Sequence, residues 1–266
     1  DLQNITFNVA RAFWQDRVSL SANVGVQYDN LDDKKSHTTR RTVGNIALSL
    51  NPSDKIQLNS TYSNFMTHVV EQETFEKINR TAPTEDADAD ATTPNFVQVS
   101  QTANVSSMLT LRRDELQSRQ LSINVGFQDA FDEKGGVVSK GNSSQYYNLS
   151  TTYNIVYLKK GLSLTSVYNV SYNTIGREQT LTHGPSLNVN SKLLQKKLTT
   201  GLSFSYNTSA KDGLTQNSTF NIRLNAAYTV LKSHNLTFNV VNQYRSFLVK
   251  APTSTLTGTL GYSYSF

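Results

Sequence analysis

The sequence predicts an all-β chain, an antiparallel up-and-down transmembrane β-barrel with about thirteen strands in these residues and a fourteenth contributed from upstream. Three observations predict it. Apolar and polar side chains alternate with period two through most of the 266 residues, as a strand with two unlike faces requires. No apolar run approaches the roughly 20 residues of a membrane helix, and mean hydropathy is −0.44. A strand barrel passes that test unseen, because only every second residue meets lipid. Finally, short and longer connections alternate in step with strand direction, a habit of bacterial outer-membrane barrels.

In chain order, Asn4 to Phe13 sets Ile5, Phe7 and Val9 against Asn4, Thr6 and Asn8, and Trp14 to Asp16 connects. Arg17 to Asn30 sets Val18, Leu20, Ala22, Val24, Val26 and Tyr28 against Ser19, Ser21, Asn23, Gly25 and Gln27. The charged stretch Leu31 to Thr39 leads to Thr42–Asn51, and Asn51-Pro52-Ser53-Asp54 is a tight turn by residue type. Ile56 to Met66 follows. Residues 67–95 break the pattern with Glu71, Glu73, Glu76, Glu85, Asp86, Asp88 and Asp90, and read as a large extracellular loop.

Alternation resumes from Phe96 to Arg112, turns at Asp114 to Gln117 and returns from Leu121 to Phe131. A second extracellular loop, 132–145, carries Gly135-Gly136. Tyr147, Leu149, Thr151, Tyr153, Ile155 and Tyr157 then oppose Asn148, Ser150, Thr152 and Asn154. Lys159-Lys160-Gly161 turns into Leu162–Asn173, and Gly176 to Gln179 turns into Leu181–Leu193, where Gly184 and Pro185 predict a bulge. Leu198 to Tyr206, Phe220 to Val230, Leu236 to Tyr244 and Ser254 to Phe266 complete the series. The strands are long enough to span, since a tilted membrane strand needs about 9–11 residues.

The whole reads as a single domain, 1–266. Single-chain bacterial barrels have even strand counts, so an odd count calls for at least one ascending strand before Asp1. A chain exported to an envelope also needs a signal peptide, which is not found at residue 1.

A backbone in lipid must satisfy its N–H and C=O groups internally, so a lipid-facing sheet has to close. Parity then assigns the outer wall. Tyr147, Tyr157, Tyr172, Tyr206, Phe220, Leu224, Tyr228, Tyr262 and Phe266 face lipid or form aromatic girdles at its borders. Tyr28, Tyr62 and Tyr244 share that parity. Asn221, Arg223, Asn225 and Arg245 face the lumen, whose lining is Asn, Ser, Thr and Gly with few charges, Lys192 among them. No dense charge ladder argues for a strongly ion-selective pore.

Other chemistry is weakly represented. The chain has no cysteine, which excludes disulfides and thiol chemistry. Its net charge of +5 is scattered at segment ends, at Arg40-Arg41, Arg112-Arg113, Lys159-Lys160 and Lys196-Lys197, rather than forming a nucleic-acid footprint. His37, His68, His183 and His234 have no metal-ligand spacing. His183 near Ser186 is the one hint of a barrel hydrolase. Asp86-Ala87-Asp88-Ala89-Asp90 lacks the Gly and distal Glu of an EF-hand and reads as a solvated acidic loop. Triplets such as Asn104-Val105-Ser106 follow from composition and imply no glycosylation. No enzyme activity, cofactor or metal is expected.

The closing segment STLTGTLGYSYSF sets Leu256, Gly258, Leu260, Tyr262, Tyr264 and Phe266 on one face. It resembles the last strand of Gram-negative outer-membrane barrels, in which a terminal aromatic is the assembly signal; the resemblance gives Phe266 that role. Ser49 to Phe65, Gly141 to Asn154 and the closing GYSYSF resemble outer-membrane barrels of Bacteroidota-type bacteria, where the barrel is the C-terminal part of a larger envelope protein. The resemblance implies an integral outer-membrane protein of a surface or secretion assembly. The expected role is a non-enzymatic membrane anchor or scaffold; the alternative is a transport protein, a passive channel or solute-uptake barrel. Expected partners are the lipid bilayer, lipopolysaccharide, the barrel-assembly machinery and other envelope proteins, with no nucleic acid.

Overall fold

Two-residue alternation is realised as strands throughout. The structure, a computed structural model, describes residues 2–30, 37–71, 96–134, 137–138, 143–230 and 233–264. The strands are β1 (Leu2–Phe13), β2 (Val18–Asn30), β3 (His37–Ser53), β4 (Ile56–Glu71), β5 (Phe96–Arg113), β6 (Gln117–Lys134) and β7 (Val137–Val138). They continue as β8 (Ser144–Tyr157), β9 (Leu162–Ile175), β10 (Glu178–Leu193), β11 (Leu198–Lys211), β12 (Leu214–Val230), β13 (His234–Phe247) and β14 (Thr253–Tyr264). Apart from the two-residue β7, which pairs with β6, each strand pairs antiparallel with its sequence neighbours in one meander. The thirteen long strands match the expected count and order. No helix among the described residues is long and apolar enough to cross a membrane.

β1 and β14 are the borders of this sheet, and they do not pair with each other among the described residues. Because direction reverses at every step, these two borders run the same way.

The strands reach beyond the stretches that alternation marks. β4 continues to Glu71 and pairs with β3 as far as His37, so 67–71 belong to the wall rather than to a loop. β6 likewise continues to Lys134 and β8 starts at Ser144. The rest of the acidic stretch, with Asp86, Asp88 and Asp90, lies outside the described residues, as do Gly135-Gly136 and Phe266.

The connections that the sequence predicts to be short lie at one end of the sheet, here the near end, where β14 also finishes. The alternation of loop length does not persist at the far end. Ile175 and Glu178 are joined by two residues, with Gly176 at φ 60° in the first central position, a type II′ signature. Lys211 and Leu214 are joined by Asp212-Gly213 at φ 49° and 82°, a type I′ turn. At the near end, two links carry three successive left-handed residues without glycine: Trp14, Gln15 and Asp16, then Leu194, Gln195 and Lys196. Each is closed by a backbone bond, Arg17 N–H to Trp14 O at 3.2 Å and Lys197 N–H to Leu194 O at 3.1 Å.

The expected bulge at Gly184-Pro185 is absent: β10 keeps continuous register with β9 through both residues. Instead, pairing to β11 lapses there while the register is kept. Proline has no N–H to donate, and the Gly184 backbone lies so close to the Tyr206 carbonyl that an added Cβ would collide with that oxygen. The real register shifts lie near strand ends, at Leu50/Ser53, Thr110/Arg112 and Ser209/Ala210.

Almost nothing is buried. Among the described residues Val99 (3% exposed) is the one buried apolar side chain, and it sits between Met66 and Phe131 as a satellite cluster rather than a core. Accessible surface is 19181 Å², against about 11,600 Å² for a compact monomer of this mass. The fold is a single layer with two exposed faces.

Candidate functional surfaces: the two faces of the wall

Directly paired residues of an antiparallel sheet share a face, so the register settles which side chains stand together. Leu224 pairs with Leu202 and Val240, Leu202 with Val189, and Val189 with Leu164. Phe220 lies between Tyr206 and Tyr244, and Tyr228 between Leu198 and Leu236, which itself pairs with Tyr262. These rows form one continuous apolar face; Phe220, Leu224, Tyr228 and Leu236 are exposed on it, and Leu202, Val189 and Val240 are half-buried between their neighbours.

That face has borders. An aromatic-rich row crosses Tyr62, Ala103, Phe127, Tyr147, Tyr172 and Leu181. Phe127 and Tyr147 ring centroids are 5.0 Å apart, and Tyr147 and Tyr172 are 6.2 Å apart. The next row outward on the same face is polar: Asn64, Gln101, Asp129, Gln145, Thr174 and Gln179. Tyr157, beside Gln117 and Leu162, marks the other border. From Tyr147 to Tyr157 the face is about 33 Å long at 3.3 Å per residue, or about 25 Å when tilted by about 40°, the height of the apolar band of a membrane barrel.

The opposite face is lined by amides and hydroxyls. Asn221 pairs with Ser205 and Gln243, Arg223 with Ser203 and Val241, Asn225 with Gly201 and Asn239, and Arg245 with Thr219 and Thr253. Hydrogen bonds knit its strands. The Gln243 amide donates to Asn221 Oδ1 at 2.7 Å and the Asn221 amide donates to Ser205 Oγ at 3.2 Å. Thr165 Oγ1 donates to Asn154 Oδ1 at 2.9 Å, and Ser63 and Thr102 share a bond of 2.8 Å. Glycine lets the longer amides lean across: a Cβ on Gly201 would run into Asn225 Oδ1 and crowd Asn190 Oδ1.

The hydrolase hint dissolves. His183 lies on the apolar face, three residues and therefore one face away from Ser186, and its Nδ1 is 3.2 Å from the Tyr168 hydroxyl. A second pair on that face, His234 Nδ1 and Tyr262 Oη at 2.8 Å, was not legible because its partners are 28 residues apart. No group of His, Cys, Asp or Glu among the described residues could hold a metal ion.

One near-end turn shows how charge is handled at the borders. The Asp114 carboxylate accepts the Leu116 and Gln117 amides at 2.9 and 2.8 Å and the Arg112 guanidinium at 2.5 Å. The Gln117 amide, and then Arg112, hold its carboxyl below the ordinary carboxylate range.

No protein-family model matches the chain and no curated protein matches it. Among solved structures it is similar to CdiB from Acinetobacter baumannii, at 13% identity and a TM-score of 0.45, covering 99% of this chain and 50% of that one. It is similar to the ferric-catecholate import receptor Fiu from E. coli K12, at 7% identity and a TM-score of 0.49, covering 99% and 63%. An outer membrane channel from Pseudomonas putida F1 is similar at 13% identity and a TM-score of 0.35, covering 94% of each chain. The chain thus spans between half and two thirds of the length of the first two.

Proposed function

We propose that this chain forms the wall of an integral outer-membrane β-barrel and serves as a non-enzymatic anchor or scaffold of a larger envelope protein of Bacteroidota type. One observation carries the reading. A single sheet leaves an apolar face and a polar face both exposed, with the apolar face bounded by aromatics at the height of a bilayer. In water that apolar face would be an association surface far beyond the few hundred Å² a soluble monomer exposes. In lipid it is the ordinary outside of a barrel, and the strand ladder satisfies the backbone there. The partners that follow are bilayer lipid and lipopolysaccharide outside, the assembly machinery during insertion, and the rest of the envelope protein.

The test is fractionation of the full-length protein. It should resist carbonate extraction, dissolve in detergent and migrate differently on gels before and after heating. A chain that stays monomeric and folded without detergent overturns the reading.

A second reading, a transport barrel, is favoured by the short Asn, Ser, Thr and Gly side chains of the polar face, which leave space beside the wall. Steady conductance in planar bilayers selects transport; a sealed bilayer selects the anchor.

A further inference from the structure

Charge is unevenly divided along this chain. Residues 178–266 hold eight basic side chains and two acidic ones, whereas the preceding residues hold seventeen and eighteen. The two acids of that segment are engaged at the far end. Glu178 pairs with Lys211 at 2.7 Å, and Asp212 Oδ1 accepts the Gln179 amide at 3.1 Å. Elsewhere on β10–β14 the polar face is free of carboxylates.

Besides Lys211, which Glu178 holds, three cations stand on that face, and the register puts them in a staircase. Lys192 lies in the row of Thr199 and Ala227. Arg223 lies four residues farther along β12, paired with Ser203 and Val241. Arg245 pairs with Thr219, four residues farther again. Each step is about 13 Å along the strands at 3.3 Å per residue, with one or two strand spacings of about 4.8 Å sideways. All three side chains are exposed, and none has an ion-pair partner among the described residues. At the middle step, Arg223 borders a concavity of about 380 Å³ whose lining includes Ser186, Asn188, Ser203 and Gln243. Guanidinium, hydroxyl and amide donors without a competing carboxylate suit an oxyanion, which Arg can grip through two parallel N–H bonds.

We infer that the polar face of β10–β13 is a binding track for small oxyanions, carboxylates or phosphate esters, with Arg223 as its central site and Lys192 and Arg245 drawing anions from the two rims. The inference rests on the reading that this face lines a water-filled lumen. It holds for a conducting pore or a closed one.

These 266 residues hold no cysteine, so one thiol introduced among them, with any cysteine elsewhere in the full-length protein replaced by serine, can report local charge. Ser203→Cys places it directly opposite Arg223, and Ser150→Cys serves as a control on the polar face between Asn124 and Asn169. The full-length protein in lipid vesicles is treated with anionic and cationic methanethiosulfonate reagents of equal size. At low salt, the thiol of Ser203→Cys should favour the anionic reagent over the cationic one on the order of tenfold, the effect of one nearby unit charge at a dielectric between protein and water. The thiol of Ser150→Cys should show no such preference. Any change in thiol ionisation affects both reagents alike and cancels in the ratio.

The preference should vanish in 1 M salt, where the screening length is about 3 Å, and with Arg223→Gln, and persist with Arg223→Lys. Inorganic phosphate should slow labelling of Ser203→Cys more than chloride at equal ionic strength, and Arg223→Lys should lose that difference, since Lys keeps the charge without the fork. A reactive thiol in Ser203→Cys with no charge preference, or one unreactive to both reagents, overturns the inference. The membrane reading fails separately: it falls if Leu202→Cys, on the apolar face, reacts as fast as Ser203→Cys.

Discussion

Leu224 and Asn225 are adjacent in sequence and stand on opposite faces, which makes them a direct test of the wall. On β12 the apolar side runs from Phe220 to Tyr228, and Leu224 lies at its centre between Leu202 and Val240. It is about 13 Å from either limit along the strand, or about 10 Å in depth at a tilt of about 40°. Leu224→Arg therefore puts a charge close to the bilayer midplane, where an outward-facing Arg costs about 2–4 kcal/mol. That is a shift of about 30- to 900-fold in the folding equilibrium at 1.36 kcal/mol per decade. Asn225→Arg adds the same charge beside Gly201 and Asn239 on the polar face, so its effect should stay below about 1 kcal/mol. Urea titration of the full-length protein in vesicles, read by the gel shift between folded and unfolded forms, measures both. Equal small effects, or a larger loss for Asn225→Arg, would refute the assignment of faces.

Gly184→Ala should destabilise by about 1–3 kcal/mol in the same titration, because its Cβ would meet the Tyr206 backbone oxygen and a carbonyl cannot swing aside as a side chain can. At the type I′ turn, Gly213→Ala should lose about 1 kcal/mol, whereas Gln195→Gly should gain about as much by relieving a left-handed residue. For the Asp114 turn, the folded carboxyl titrates below its unfolded value, so the folded state binds the proton less readily. Its contribution is fully present above the unfolded pKa of about 3.9 and is lost as pH falls through the lower folded pKa. Amide exchange at Leu116 and Gln117 should accelerate there, and in Asp114→Asn the acid dependence should be absent.

Strand order was legible because barrel strands obey parity: Val18 to Tyr28 and Phe220 to Tyr228 need only a two-residue rule. Strand ends were not legible. Beyond the aromatic border the apolar alternation stops while the hydrogen-bond ladder continues, as it does from Thr67 to Glu71 and from Leu214 to Thr219. Asp212-Gly213 is a strong hairpin signal, yet the Asn- and Ser-rich residues around it hide the strands it joins. Gly184 and Pro185 mark a lapse in pairing because composition cannot separate a missing donor from an extra residue. Arg223, Arg245 and Lys192 were visible as charges on the polar parity, but positions 192, 223 and 245 share no spacing; their staircase exists only in the pairing of four strands.

The two borders of the sheet constrain whatever completes the wall. Phe7 on β1 and Leu260 on β14 are 72% and 79% exposed, well above 41% at the flanked Leu224. Since both borders point the same way, rolling the sheet up on itself would make a parallel seam, and two copies inserted in one orientation would again meet parallel. A cylinder that stays antiparallel all round has to take in an odd number of added staves, each greasy outside and wet inside. The first and last of them must each offer a free backbone edge, one to β1 and the other to β14.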